Sequence, residues 1–363
     1  MAPESGIYEK LREQLDQYSI GFPATESGIE FKVLRKMFDE EEAELFLNLS
    51  MSLETPDSVA SRTGRAPEKV AALLERMADK GLIFRLRRGE VPKYGAAPFV
   101  VGSFEYQLSA MDRELAELTD AYMEETFSRA FGSGQMLRPI PINRSVAVKY
   151  QVAAYEDSRL ILRQQKLIAA AECICRKQQG LLDKGCQKPR EVCLVFGAHA
   201  EYYLERNMAR AVTVEEADAI LEQAEKAGLV SQPFNSVNPG GMCNCCGDCC
   251  GVLRALNKQP KPADLVISNY FAVVNAADCI GCETCLERCQ MRALTLNSDS
   301  IVEVDRDRCI GCGLCVTTCP TEALSLEMKP EKERKNPPAS NLEQMTQLAE
   351  ARGTSLIPLA MKR

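Results

Sequence analysis

The chain has 363 residues, 45 % of them hydrophobic and 26 % charged, with a formal net charge of −7. That balance suits a soluble protein of about two or three domains, and the acidic excess gives no general affinity for polyanions. The most apolar runs, Leu167 to Ile174 and Val192 to Ala200, fall far short of the roughly 20 residues that span a bilayer. Met1 to Ile20 reads as a charged helix and not as an export signal, so a cytoplasmic protein with no membrane span is expected. Seventeen cysteines stand against a single histidine. Cytosolic thiols stay reduced, which removes a disulfide framework. The scarcity of imidazole leaves iron-sulfur clusters or cysteine-only zinc.

Taken in chain order, residues 1–24 form an N-terminal helix and residues 25–102 a small helical domain. A helix is expected over residues 40–51, a short one from Pro56 to Gly64, and a third from Ala66 that places Val70, Leu73, Leu74 and Met77 on one face. Leu82 to Arg87 and the turn at Gly89 read as a hairpin wing. This order resembles winged-helix domains, and the resemblance implies that the helix from Ala66 is the one a DNA-binding relative would set in the major groove. The charges disagree with that use. Lys69, Arg76 and Lys80 are balanced by Glu68, Glu75 and Asp79, and only Arg85, Arg87, Arg88 and Lys93 on the wing make a basic patch. Docking to protein is favoured over DNA binding. Residues 103–165 connect: a long helix over 103–131 ending at Gly132-Ser-Gly134, then Pro139, Pro141 and a strand from Ser145 to Tyr150.

Residues 166–256 form a cysteine-rich domain. Cys173, Cys175, Cys186 and Cys193 precede the knot Cys243-Asn-Cys245-Cys246-Gly-Asp-Cys249-Cys250-Gly. Their Gly-, Asn-, Asp- and Lys-rich surroundings look like loops, which suits metal ligands better than packing residues. Cys243, Cys246 and Cys249 have the spacing C-x2-C-x2-C and need a fourth ligand, while Cys173, Cys175, Cys186 and Cys193 can close a site by themselves. One further cluster shared between the groups fits, and so do two. Cys245 and Cys250 are expected to be spare or to serve a second site, because the Cβ vectors of adjacent residues diverge. Between the groups, Thr213-Val-Glu-Glu216 is a capping box that opens a helix through about Ala227, stopped at Gly228. His199 reads as a surface or cap residue. The doubled Cys-Cys-Gly resembles the cysteine-rich domain of heterodisulfide reductases, here with the two pairs back to back, and that resemblance implies an unusual catalytic cluster.

Residues 257–328 carry the most specific signal. Cys279-x2-Cys282-x2-Cys285-x3-Cys289 recurs as Cys309-x2-Cys312-x2-Cys315-x3-Cys319-Pro320, and Ala293-Leu294 with Leu296 recurs as Ala323-Leu324 with Leu326. This is a tandem repeat of one unit, from about Ala277 to Leu326. Three thiolates two residues apart wrap one face of a cubane, and the fourth, beginning a short helix, reaches the other cluster. Cys279, Cys282, Cys285 and Cys319 then hold one [4Fe-4S] cluster and Cys309, Cys312, Cys315 and Cys289 the second. The segment resembles the bacterial dicluster ferredoxin family, with two βαβ-like halves around the metal. Gln290 stands where the family pattern has proline, a donor placed to tune a cluster or to face solvent. Residues 329–363, charged and proline-rich at the start, are expected to be a mobile tail.

The fold class is therefore α+β multidomain: winged-helix-like, cysteine-rich and dicluster ferredoxin parts. The arrangement resembles multi-cluster ferredoxin-like proteins of anaerobic bacteria. The resemblance implies an electron carrier or electron-transfer subunit with two [4Fe-4S] clusters, one or two further ones, and a flavoprotein or other oxidoreductase as redox partner. A redox-sensing winged-helix regulator and a cluster-based thiol/disulfide reductase are the alternatives. Neither a G-x-G-x-x-G nor a P-loop pattern is present.

Overall fold

The structure, a computed structural model, describes residues 6–130, 136–146 and 152–362. The expected turn at Gly132-Ser-Gly134 and most of the strand from Ser145 to Tyr150 lie outside them, as do the first five residues.

In the N-terminal part, α1 (Gly6–Asp16), α2 (Ile29–Met37) and α3 (Glu40–Phe46) precede α4 (Pro56–Thr63) and α5 (Pro67–Asp79). A capping box of Asp39 and Glu42 starts α3. It ends earlier than the apolar pattern suggests, because Asn48 and Leu49 bond back only three residues. Thr55 caps α4 and Pro56 opens it. Val70, Leu73, Leu74 and Met77 of α5 are buried as their spacing requires. The hairpin is β1 (Ile83–Leu86) antiparallel to β2 (Lys93–Ala96). The long helix α6 (Arg113–Ala130) starts later than expected, after short turns over Phe99–Ser103 and Glu105–Gln107.

After α7 (Ser158–Arg163) the chain builds an antiparallel sheet from β3 (Ile168–Glu172), β4 (Glu191–Phe196), β5 (Ala209–Val212), β6 (Val230–Pro233) and β7 (Gly241–Cys245), in the order β5-β3-β4-β7-β6. Alternation along the strands serves two cores. Ile168, Ala170, Leu194 and Phe196 pack with Ala217, Ile220 and Leu221 of α10 (Val214–Lys226), while Ala169, Ala171 and Val195 pack with Ala200 and Tyr202 of α9 (Gly197–Glu205). The Thr213/Glu216 capping box forms as expected. Short α8 (Ile174–Leu181) leaves the end of β3.

Helix α9 also grips the wing. The Tyr202 hydroxyl lies 2.9 Å from the carbonyl oxygens of both Ala78 and Ile83. Glu205 pairs with Arg85 at 2.8 Å and also with Arg87, and Glu201 pairs with Arg88 at 2.6 Å. Three of the four basic wing residues are thus neutralised within the chain.

Helix α11 (Gly251–Asn257) leads from the cysteine knot into the C-terminal module: β8 (Tyr270–Val274), α12 (Thr284–Arg288), β9 (Leu294–Leu296), β10 (Val302–Val304) and β11 (Leu324–Met328). Here β8 pairs antiparallel with β11, and β9 with β10. Each half does run strand, helical turn, strand, as β8-α12-β9 and as β10, the turn Val316–Thr318 and β11, but the paired strands are β8 with β11 and β9 with β10 and are antiparallel, so neither half is a parallel crossover unit. Cys289 and Cys319 close short helical turns instead of opening them. The segment after β11 is also not the extension expected. Ser340 caps α13 (Asn341–Ala351), whose Met345, Leu348 and Ala349 are buried, and Arg352 pairs with Asp16 of α1 at 2.8 Å. The charged, proline-rich stretch hid an apolar face that lies beyond it. Leu348→Ala is expected to cost about 2–5 kcal/mol, seen as a clear fall in the melting temperature of the full chain. An unchanged melting temperature would mean that α13 does not contribute to the fold.

Candidate iron-sulfur sites

In the C-terminal module each cysteine loop turns through a left-handed glycine. At Gly311 (φ +68°) an added Cβ would lie 2.3 Å from the Tyr270 carbonyl oxygen, and at the equivalent Gly281 (φ +65°) 2.5 Å from that of Ser300. The loops are held against the strands by amides that donate to thiols: Ala272 to Cys309 at 3.3 Å, Ala293 to Cys289 at 3.2 Å and Val302 to Cys279 at 3.5 Å. Cys289, Cys309, Cys312 and Cys315 surround one cavity of about 20 Å³, closed by Ala272, Ile310 and Leu314. Cys279, Cys282 and Cys319 surround Cys285 closely enough for their charges to raise its pKa, after burial itself. The structure thus brings these eight thiols together as two groups of four.

The two groups differ in environment. Cys282 is exposed, and its neighbour Ile280 is 66 % exposed. In the other group burial pushes the Cys312 thiol up to about 12 and Cys315 well up. One group faces solvent and the other faces the interior of the chain.

The nine remaining cysteines divide in a way that spacing did not suggest. Cys173, Cys175, Cys250, Cys245, Cys243 and Cys193 follow one another, each near enough to the next to shift its pKa, around a cavity of about 60 Å³ whose other walls include Val101, Phe104, Met123 and Phe127. Cys246 and Cys249 touch this cavity from one side. They turn chiefly to Cys186, whose Sγ lies 3.8 Å from that of Cys246 and 3.6 Å from that of Cys249. The expected cradle of Cys243, Cys246 and Cys249 is therefore split between two places, as is the set of Cys173, Cys175, Cys186 and Cys193. Cys245 and Cys250, expected to be spare or to serve a second site, belong to the six.

Strand geometry explains the division. Residues two apart on β7 share a face, which puts Cys243 beside Cys245. The β4–β7 register, Leu194 opposite Met242, carries Cys193 opposite Cys243. The chain then turns at Gly247, and Cys246 and Cys249 point elsewhere.

Between the two sets lies Arg176, 1 % exposed. It donates from Nη2 to the Asn244 carbonyl at 3.0 Å, and its Nε and Nη1 are buried with no hydrogen-bond partner. A buried cation with unmet donors is costly, and an anionic, thiolate-ligated group in the cavity beside it would satisfy them. Contact with neighbouring thiols pushes Cys173, Cys243 and Cys245 far up, with burial adding to the effect. Bound metal reverses that shift by supplying positive charge. The six thiols, the cavity and the orphaned guanidinium fit an iron-sulfur cluster. Glu105 also lines the cavity, its carboxyl pushed up to about 7 by burial. His199 lies among Phe84 and Phe234, and burial lowers its pKa to about 4.

The knot and the C-terminal module are joined at Gln290, beside Cys289. Its Oε1 accepts from the Gly247 amide at 2.7 Å, and its carbonyl accepts from Asn257 Nδ2 at 2.9 Å. Gly247 has to be glycine there, since a Cβ would lie 2.7 Å from the Gln290 oxygen. Gln290, half-buried, donates from Nε2 to the Arg288 carbonyl at 3.4 Å and ties the inner group of four to the knot. Helix α11 parallels this link, capped by Cys250 at one end and holding Gln290 through Asn257 at the other.

Residues 272–326 match the family model described as a 4Fe-4S dicluster domain. No curated protein and no solved structure matches the chain. The C-terminal module is thus a dicluster ferredoxin domain, which implies two [4Fe-4S] clusters and a general role in iron-sulfur electron transfer. No helix among the described residues is long and apolar enough to cross a membrane. Gly311→Ala is expected to lose the iron held by the inner group, about four atoms per chain. Full iron content in that variant would show that the loop tolerates a Cβ.

Proposed function

We propose that this protein relays single electrons from a partner protein, through the exposed and then the inner group of the dicluster module, to a further iron-sulfur centre held by the six-thiol cavity. The observation that carries the reading is Arg176, whose unmet buried donors call for an anion in that cavity. A bound [4Fe-4S] cluster supplies reversible one-electron chemistry.

The chain's own residues do the rest. Cys279, Cys282, Cys285 and Cys319 would hold the outer cluster, and Cys309, Cys312, Cys315 and Cys289 the inner one. Cys173, Cys175, Cys193, Cys243, Cys245 and Cys250 offer more thiols than one cubane needs, so two of them can act as reserve or bridging ligands. Gln290 and α11 fix the spacing between the inner group and the knot; α11, at seven residues, spans roughly 10 Å. Ile280 and Cys282, exposed beside Asp278, Glu283 and Glu287, form the entry face, suited to a flavoprotein or other oxidoreductase with a basic rim.

The winged-helix-like part serves as internal scaffold, because Arg85, Arg87 and Arg88 are occupied by Glu201 and Glu205 and are not free for phosphates. This weighs against the regulator reading.

The anaerobic holoprotein is expected to hold about 12 iron atoms and as many acid-labile sulfides, four per cluster. Arg176→Met should lose about a third of that iron, with the reduced-state signals of the dicluster module unchanged. About 8 iron atoms in the unmodified protein, two clusters' worth, would refute the third centre.

A further inference from the structure

The three cysteines left over have a geometry of their own. The Sγ atoms of Cys186, Cys246 and Cys249 all lie within 4.8 Å of one another, with two of the separations 3.6 Å and 3.8 Å. Among the described residues this is the sole group of three cysteine, histidine, aspartate or glutamate residues brought so close. The eight thiols of the dicluster module, spaced to hold cubanes, nowhere form such a trio. Thiolates on different irons of a cubane are held apart by an iron–iron edge and two outward Fe–S bonds. Thiolates on one tetrahedral ion are nearer: with Zn–S bonds of about 2.3 Å the sulfurs sit roughly 3.8 Å apart.

We infer that Cys186, Cys246 and Cys249 form a mononuclear site for a single borderline-soft divalent ion of the zinc type, separate from the iron-sulfur centres. Local charge supports it. The cationic side chains of Arg176 and Lys188 stand beside Cys186 and Cys246, Lys188 being paired also with Asp248. The elements explain the meeting: Cys186 comes from the loop after α8, and Cys246 and Cys249 from the turn between β7 and α11.

No fourth protein ligand joins the trio among the described residues. Three protein ligands with the fourth position left to water or an incoming thiol is the arrangement of an open zinc site. Asp248, paired with Lys188 at 2.5 Å, borders it on the exposed side.

The inference is independent of the relay, and the two fail separately, because one is counted in zinc and the other in iron. Elemental analysis of the unmodified anaerobic protein is expected to find about one zinc per chain beside the iron, and X-ray absorption at the zinc edge about three sulfurs near 2.3 Å with one lighter neighbour. Cys186→Ser should reduce bound zinc at least tenfold and leave iron and sulfide at the unmodified level, and Cys249→Ser should do the same. Zinc well below stoichiometric in the unmodified protein, four sulfurs around the ion, or loss of iron in correctly folded Cys186→Ser would each overturn it.

Discussion

Nine thiols packed within one domain cannot all ionise unless positive charge is buried with them, and most of the architecture answers to that constraint. Protonated, they are poor metal ligands; ionised without compensation, they repel at short range in a medium that screens weakly. Arg176 supplies one buried charge, and on the proposed reading bound metal supplies the rest. The five-stranded sheet, with both faces covered by helices, provides the rigid, dry frame in which the thiols are held at fixed separations. Charge also draws α9 across to the wing: Glu205 joins Glu75 and Asp79 around buried Arg85, and Glu201 pairs with Arg88.

The dicluster module was legible because its ligands are local. A repeat with fixed offsets places three thiols in one loop whatever the rest of the chain does, and the glycines at 281 and 311 confirm the turn that the spacing needs. The nine other cysteines were not legible in the same way. Read as loop residues, Cys243, Cys246 and Cys249 looked like one cradle. In fact Cys243 and Cys245 lie on a strand, and strand alternation, set by pairing with β4 and β6, overrides linear spacing. Non-local pairing of this kind leaves little trace in a single sequence. The charge balance of α5 was readable in the sequence and argued there against DNA binding. Nothing in the sequence, however, showed that the partner of the winged-helix-like part would be α9 of the same chain.

The link at Gln290 gives the departure from proline a physical purpose. Proline would remove the side-chain acceptor that the Gly247 amide uses, and with it the direct tie between the inner cysteine group and the knot. Together with α11, that tie joins the cysteine knot to the dicluster module. On the proposed reading the two form one path, with the exposed group at Ile280 and Cys282 as its entrance and the six-thiol cavity as its interior end.

The measurement that tests this path most directly is electron paramagnetic resonance of the anaerobic holoprotein during stepwise reduction. Connection through Gln290 predicts that, as the last centre is reduced, the signals of the inner cluster broaden and split by interaction with a third spin nearby. Spectra that stay those of an isolated two-cluster ferredoxin pair at every stage of reduction would contradict the account.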